Sequence, residues 1–183
     1  MQNFYQKIYY KINDLLNQTD YIALEKISRF LISANKNNKK VIIFGNGGSA
    51  SISSHVSIDL TKNAKIKSIN FNEANLLTCF SNDYGYEKVF SKSLEFYANK
   101  GDVVIIISSS GRSKNIIEAA KFCKRKKIFL CTLTGFSSAN PLKKMGNINL
   151  WVNSKAYNII ESVHQIWLLS IVDRIIGKTE YPT

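Results

Sequence analysis

Proline is nearly absent from this chain, at two residues in 183, and histidine and methionine are each as rare. So few prolines, with only nine glycines, exclude a Pro-rich linker or a low-complexity segment. Acidic residues are scarce too: 13 of them against 25 lysines and arginines leave a net charge of +12. No apolar run approaches the roughly 20 residues needed to cross a bilayer. The longest, VVIII at 103–107, suits a buried strand. The opening residues, MQNFYQKIYYKINDLL, lack the uninterrupted apolar stretch of a signal peptide. A cytoplasmic protein without membrane contact is the expectation. The three cysteines, Cys79, Cys123 and Cys131, are odd in number and make no C-x-x-C pair. They read as reduced core thiols rather than as disulfides or metal ligands.

What is present supports one folded unit. At 183 residues and 45% hydrophobic, the chain can bury a full core without disulfides or a structural metal. The lysines are spread along the whole length. The one cluster, Lys121, Lys124, Arg125, Lys126 and Lys127, falls at the end of a predicted helix, where cations complement the helix dipole. Specific nucleic-acid binding is therefore not expected, although a positive field would help attract a phosphorylated substrate.

Residues 1–36 read as a helical pair. Phe4, Ile8, Ile12 and Leu15 recur at helical spacing, and Leu24, Ile27, Leu31 and Ala34 do so again. Each stripe needs a partner, either the sheet or another subunit. From 40 to 177 strands and helices alternate: strands at 41–44, 67–71, 102–107, 128–133 and 148–152, with helices at 49–61, 73–82, 86–98, 114–125, 142–145 and 156–176. That alternation calls for an α/β fold, a parallel sheet covered on both faces. The whole of 1–183 then forms one domain, with the helical pair in front of the core.

Two strand ends carry the chemistry. Gly45-Asn46-Gly47-Gly48-Ser49 follows the first strand, and Ser108-Ser109-Ser110-Gly111-Arg112-Ser113 follows the strand at 102–107. Ligands collect outside the carboxyl ends of parallel strands. Glycines let backbone approach a ligand, serines supply hydroxyl donors, and each following helix offers free N–H groups to an anion. Neither loop is a Walker loop or a dinucleotide fingerprint, so no nucleotide cofactor is expected. A phosphate is the ligand that such loops suit.

FGNGGSA at 44–50, His55, SNDYGYEKVFS at 81–91, GDVVIIISSSGRS at 101–113 and LTG at 133–135 occur in that order. Together they resemble the phosphoheptose isomerase branch of the sugar isomerase (SIS) domain family, over nearly the whole chain. The resemblance implies a three-layer, doubly wound parallel sheet of flavodoxin-like type with an N-terminal helical pair. It implies a homotetramer with active sites between subunits, and a bound zinc. The implied reaction converts sedoheptulose 7-phosphate to D-glycero-D-manno-heptose 7-phosphate, for lipopolysaccharide or capsule precursors. By the family pattern Ser108, Ser109, Ser110 and Ser113 hold the phosphate. Asn46, Gly47, Gly48 and Ser49 line the sugar site, with Asn82 and Asp83 nearby.

The departures from that pattern lie at the chemistry. The family has a glutamate four residues after its first-helix histidine, where this chain has Asp59 after His55. Its closing helix carries a glutamine, a histidine three residues on and a second histidine five further, where this chain has Glu161, His164 and Leu169. Asn158 and Ile159 stand where the family has aspartate and arginine. Leucine neither ligates metal nor carries a proton, which weakens the zinc expectation. His55, Asp59 and Glu161 remain as three candidate ligands of an open site. Asp59, Glu161 and His164 are the candidate acid–base residues, and Glu161 also counts among the substrate contacts. The alternative is a non-catalytic sugar-phosphate-binding SIS module resembling the replication initiator-associating proteins. Two retained carboxylates, Asp59 and Glu161, favour the isomerase.

Overall fold

Strands β1 (Val41–Gly45) and β3 (Val103–Ser108) are buried along their whole length, which is why their sequences do not alternate apolar with polar. They form the centre of a five-stranded sheet in a computed structural model that describes residues 3–181. β2 (Ser68–Asn70) pairs with β1 on one side; β4 (Phe129–Thr134) and β5 (Ile148–Trp151) continue beyond β3. The order β2-β1-β3-β4-β5 is parallel throughout, the flavodoxin-like doubly wound arrangement.

Successive side chains of the central strands point to opposite faces and feed two cores. Ile43, Ile105, Ile107 and Leu133 pack against α2 (Tyr21–Lys36), α3 (Gly48–Lys62) and α7 (Tyr157–Ile176). Ile42, Phe44, Val104 and Ile106 pack against α5 (Val89–Tyr97) and α6 (Lys114–Lys126). Phe44 and Phe90 stack at 4.5 Å between centroids in this second core. Leu76, Leu77 and Phe80 of α4 (Ala74–Tyr84) close its edge. The segment expected as one helix over 86–98 is a 3-10 turn, Tyr86–Lys88, followed by α5, with Gly85 ending α4 before it.

Local capping fixes the helical pair. In α1 (Phe4–Asn17) the Asn3 side chain accepts from the Gln6 N–H at 2.8 Å while Gln6 accepts from the Asn3 N–H, a capping box. Asp20 starts α2 by accepting from the Ala23 N–H at 2.9 Å. The apolar stripe of α1 is only partly covered, however. Leu15 is buried, whereas Phe4 is 72% exposed and Tyr5, Tyr9 and Tyr10 stand open beside it. α1 contacts α7 towards its C-terminal end, so the first turns project beyond the chain's own surface.

Two of the three cysteines are the core thiols expected. Cys123 and Cys131 are buried, and burial pushes each thiol up to about 12. Cys79 is a correction: it is exposed on α4, because that helix turns Leu76 and Phe80 inward instead. Trp167 is in the core, its Nε1–H donating to Thr19 Oγ1 at 2.7 Å. Trp151 is half-buried under Lys143, whose Nζ lies 4.1 Å from the ring centroid.

At the amino ends of β1 and β3, the buried Asp102 carboxylate accepts from Lys40 Nζ at 2.6 Å, the Lys40 N–H at 3.1 Å and the Asn99 N–H at 2.7 Å. Removing one partner of a buried pair leaves the other uncompensated. Asp102→Ala is expected to destabilise the fold by about 3 kcal/mol, read from the urea midpoint by tryptophan fluorescence. A shift below about 0.5 kcal/mol would contradict that role for the pair.

Candidate functional site

The glycine-rich and serine-rich loops leave the carboxyl ends of the adjacent strands β1 and β3. β1 runs on into α3 on one face of the sheet, and β3 into α6 on the other. The chain thus departs in opposite directions from neighbouring strands, and a crevice opens between the departures.

A cavity of about 320 Å³ fills that crevice. It is lined by Asn46, Gly47, Gly48 and Ser49 of the first loop, by Ser108, Ser109, Ser110 and Ser113 of the second, and by Tyr157 and Glu161 of α7. Much hydrogen-bonding capacity here is unspent. The Ser109 hydroxyl is buried without a partner. Ser113 holds the N-cap position of α6, yet its side chain makes no capping bond. Ser108 Oγ accepts from the Gly111 N–H at 3.2 Å and Ser110 Oγ from the Arg112 N–H at 3.4 Å, so both hydroxyl protons stay free to donate. Gly111 takes φ +62° and a side-chain carbon there would strike Asn140, so the turn needs glycine twice over.

Glu161 is the hinge between this cavity and a second one of about 390 Å³. Gly48 and Glu161 line both, and the second adds His55, Asn158 and Gln165. A side-chain carbon on Gly48 would collide with the Glu161 carboxylate, so that carboxylate rests directly on the first residue of α3. A negative charge is favoured at a helix N-terminus.

The expected zinc ligand set is not met within one copy of the chain. His55 Nε2 lies 3.2 Å from Asp59 Oδ2, and His55 Nδ1 lies 3.3 Å from Gln165 Nε2. Asp59 Oδ1 accepts from Asn63 Nδ2 at 3.1 Å. Among the described residues no three His, Cys, Asp or Glu side chains converge to hold a metal ion. The donors are turned towards one another and towards amides, and Glu161 towards Gly48, so as arranged they do not fit zinc. Leu169 packs against the core.

His164 stands apart from Asp59 and Glu161. It is fully buried and lines neither cavity. Its Nε2–H donates to the Thr134 carbonyl at 3.1 Å, since a carbonyl only accepts, and Nδ1 has no partner. Its structural place is to pin α7 to the end of β4. Asn82 and Asp83 are also outside the cavity, exposed on α4 and bonded to each other at 2.9 Å.

Two further residues, Tyr157 and Asn115, join the site although no motif announces them. Tyr157 lies one turn before Glu161 on the same helix face, a spacing that could have revealed it. Its ring meets Phe136 edge-on at 4.7 Å. Asn115, just inside α6, pairs with Asn46, and Tyr86 Oη donates to Asn46 Oδ1 at 3.1 Å.

The pattern that defines the SIS domain family matches residues 3–135. The phosphoheptose isomerase of Cytophaga hutchinsonii is 41% identical over 118 residues, 62% of this chain and 62% of that relative, so the match spans less than two thirds of the relative's length. The phosphoheptose isomerase of Sulfurimonas denitrificans is 34% identical over 175 residues, 92% of this chain and 86% of its own. Among solved structures, the phosphoheptose isomerase of Neisseria gonorrhoeae superposes with a TM-score of 0.83 at 25% identity, covering 91% of this chain and 94% of its own.

Burial lowers the His164 imidazole from its ordinary 6.5 to about 4, partly opposed by the Thr134 hydrogen bond. The folded state thus holds the proton less well than the unfolded chain. The stability that neutral His164 contributes is complete above pH 6.5 and is lost as the pH falls from there towards 4. About 2 kcal/mol should be gone by pH 5. His164→Gln is expected to flatten that loss in urea unfolding measured at pH 7 and pH 5; an unchanged slope would contradict the assignment.

Proposed function

The chain belongs to the SIS domain family, and from that premise we propose that it is a phosphoheptose isomerase, taking sedoheptulose 7-phosphate to D-glycero-D-manno-heptose 7-phosphate. The observation that carries the reading is the cluster of unspent donors on the serine loop, facing a carboxylate across one cavity. A phosphoryl group needs several donors and little bulk. Ser108, Ser109, Ser110 and Ser113, with the free N–H groups at the start of α6, meet that need.

With the phosphate so held, the carbon chain runs over Gly48 towards the second cavity. Aldose–ketose isomerisation moves a hydrogen between C1 and C2 through an enediol and requires a base at carbon and a proton donor at oxygen. Glu161 takes the first task, a role supported by its lining both cavities. The second task falls to the Asp59–His55 pair, joined at 3.2 Å, once His55 Nδ1, which lies on the second cavity, exchanges Gln165 for the substrate oxygen. His164 holds the helix that carries Glu161.

We further propose that copies assemble as a homotetramer. The open aromatic face of α1, with Phe4 72% exposed and Tyr9 66% exposed, supports association. The pathway served, lipopolysaccharide or capsule heptose, belongs to the same proposal.

Incubation with sedoheptulose 7-phosphate, with and without added zinc, should give heptose 7-phosphate by NMR. Tight binding without turnover would instead favour the non-catalytic module. Replacing Ser110 and Ser113 together by alanine should weaken sugar-phosphate binding more than tenfold by calorimetry; unchanged affinity would sink the phosphate assignment. Glu161→Gln, which keeps shape and removes the base, should lower kcat at least about 100-fold with KM nearly unchanged.

A further inference from the structure

The two ligand loops meet through one buried side chain, Asn115. It is the second residue of α6 and is 2% exposed. Its carboxamide pairs reciprocally with that of Asn46 in the glycine-rich loop. Asn46 Nδ2 donates to Asn115 Oδ1 at 3.0 Å, and Asn115 Nδ2 donates to Asn46 Oδ1 at 3.0 Å. Turning either amide over would set donor against donor, so each fixes the other. Asn115 Oδ1 is anchored again by the Ile116 N–H at 2.9 Å. Asn46 Oδ1 takes a second bond from Tyr86 Oη at 3.1 Å. A single amide pair therefore ties the start of α6 and the α4–α5 junction to the loop that carries Gly48.

We propose that Asn115 is a positioning residue that sets the distance between the phosphate grip and the reacting carbons, an inference that rests on the sugar-phosphate reading of the cavity. The phosphate is held by the serine loop and the start of α6. The carboxylate that acts on carbon rests on Gly48, two residues beyond Asn46. Substrate spans the two loops, so its reacting end is correctly placed only if the loops keep one separation. Displacements of about 1 Å at reacting atoms can cost on the order of a hundredfold in rate. The serine hydroxyls belong to one loop alone, so the phosphate grip survives loss of the pair. Asn46 spends one N–H and its carbonyl on this tie, leaving one N–H for a sugar oxygen.

The test is a double-mutant cycle on the full chain with Asn46→Ala, Asn115→Ala and both together, measuring kcat, KM and competitive inhibition by inorganic phosphate. Asn115→Ala is expected to lower kcat at least about tenfold, with KM and phosphate inhibition within about threefold of the parent. The double variant should fall no further than the worse single one, because both act through one pair. Ile116→Val, next door in the same core, reports a packing defect alone: its Tm should drop while kcat per folded molecule stays. Parental kcat in Asn115→Ala, multiplying losses in the double variant, or a loss that follows the folded fraction would each overturn the positioning role. If the parent enzyme is neither inhibited by phosphate nor active on the sugar phosphate, the functional reading fails first, and this inference falls with it.

Discussion

Everything at this site depends on a reversal of chain direction between two neighbouring strands. After β1 the chain swings to one face of the sheet, and after β3 to the other. Without that divergence the Gly45–Ser49 and Ser108–Ser113 turns would sit side by side against one layer of helix. With it, they face each other across a gap. The start of α6 then offers its free N–H groups to that space, whereas the first turn of α3 spends the N–H groups of Ser49 and Ala50 on Asn46 and Gly47. The amide pair of Asn46 and Asn115 keeps the gap at a fixed width.

The part of the fold governed by burial periodicity was legible from sequence. The runs at 41–44 and 103–107 had to be strands covered on both faces, and they are. The ends of the helices are fixed locally, by Asn3, Asp20 and Gly85. The order of the strands is set by pairings between distant segments, and it comes from the family resemblance rather than from periodicity. The exposure of Cys79 is not legible because which face of α4 turns inward depends on α5 and the 3-10 turn before it. His164 was chosen by motif spacing, and spacing does not report that α7 buries that face against β4. Asn115 is not legible for the same reason, since its meaning lies in a partner on the other loop, Asn46, whereas Tyr157 is legible from its spacing to Glu161. The serine loop was legible because four hydroxyls after an apolar strand have few structural uses.

The arrangement around α7 departs from what family resemblance alone implies. A carboxylate stands at 161 and a leucine at 169, and the imidazole of His55 is occupied by Asp59 and Gln165. The phosphate loop, by contrast, keeps every serine that the resemblance calls for. On the proposed reading, recognition of the phosphoryl end and chemistry at the carbon end fall to different elements, α6 with its loop and α7 with α3.

That division has an evolutionary corollary. The Lys40–Asp102 anchor that secures the central strands lies at their amino ends, a whole strand length from the ligand crevice. On the proposed reading, the acid–base side chains of α3 and α7 can change without touching that anchor. A laboratory library restricted to the cavity-facing positions of α3 and α7 would sample the same freedom.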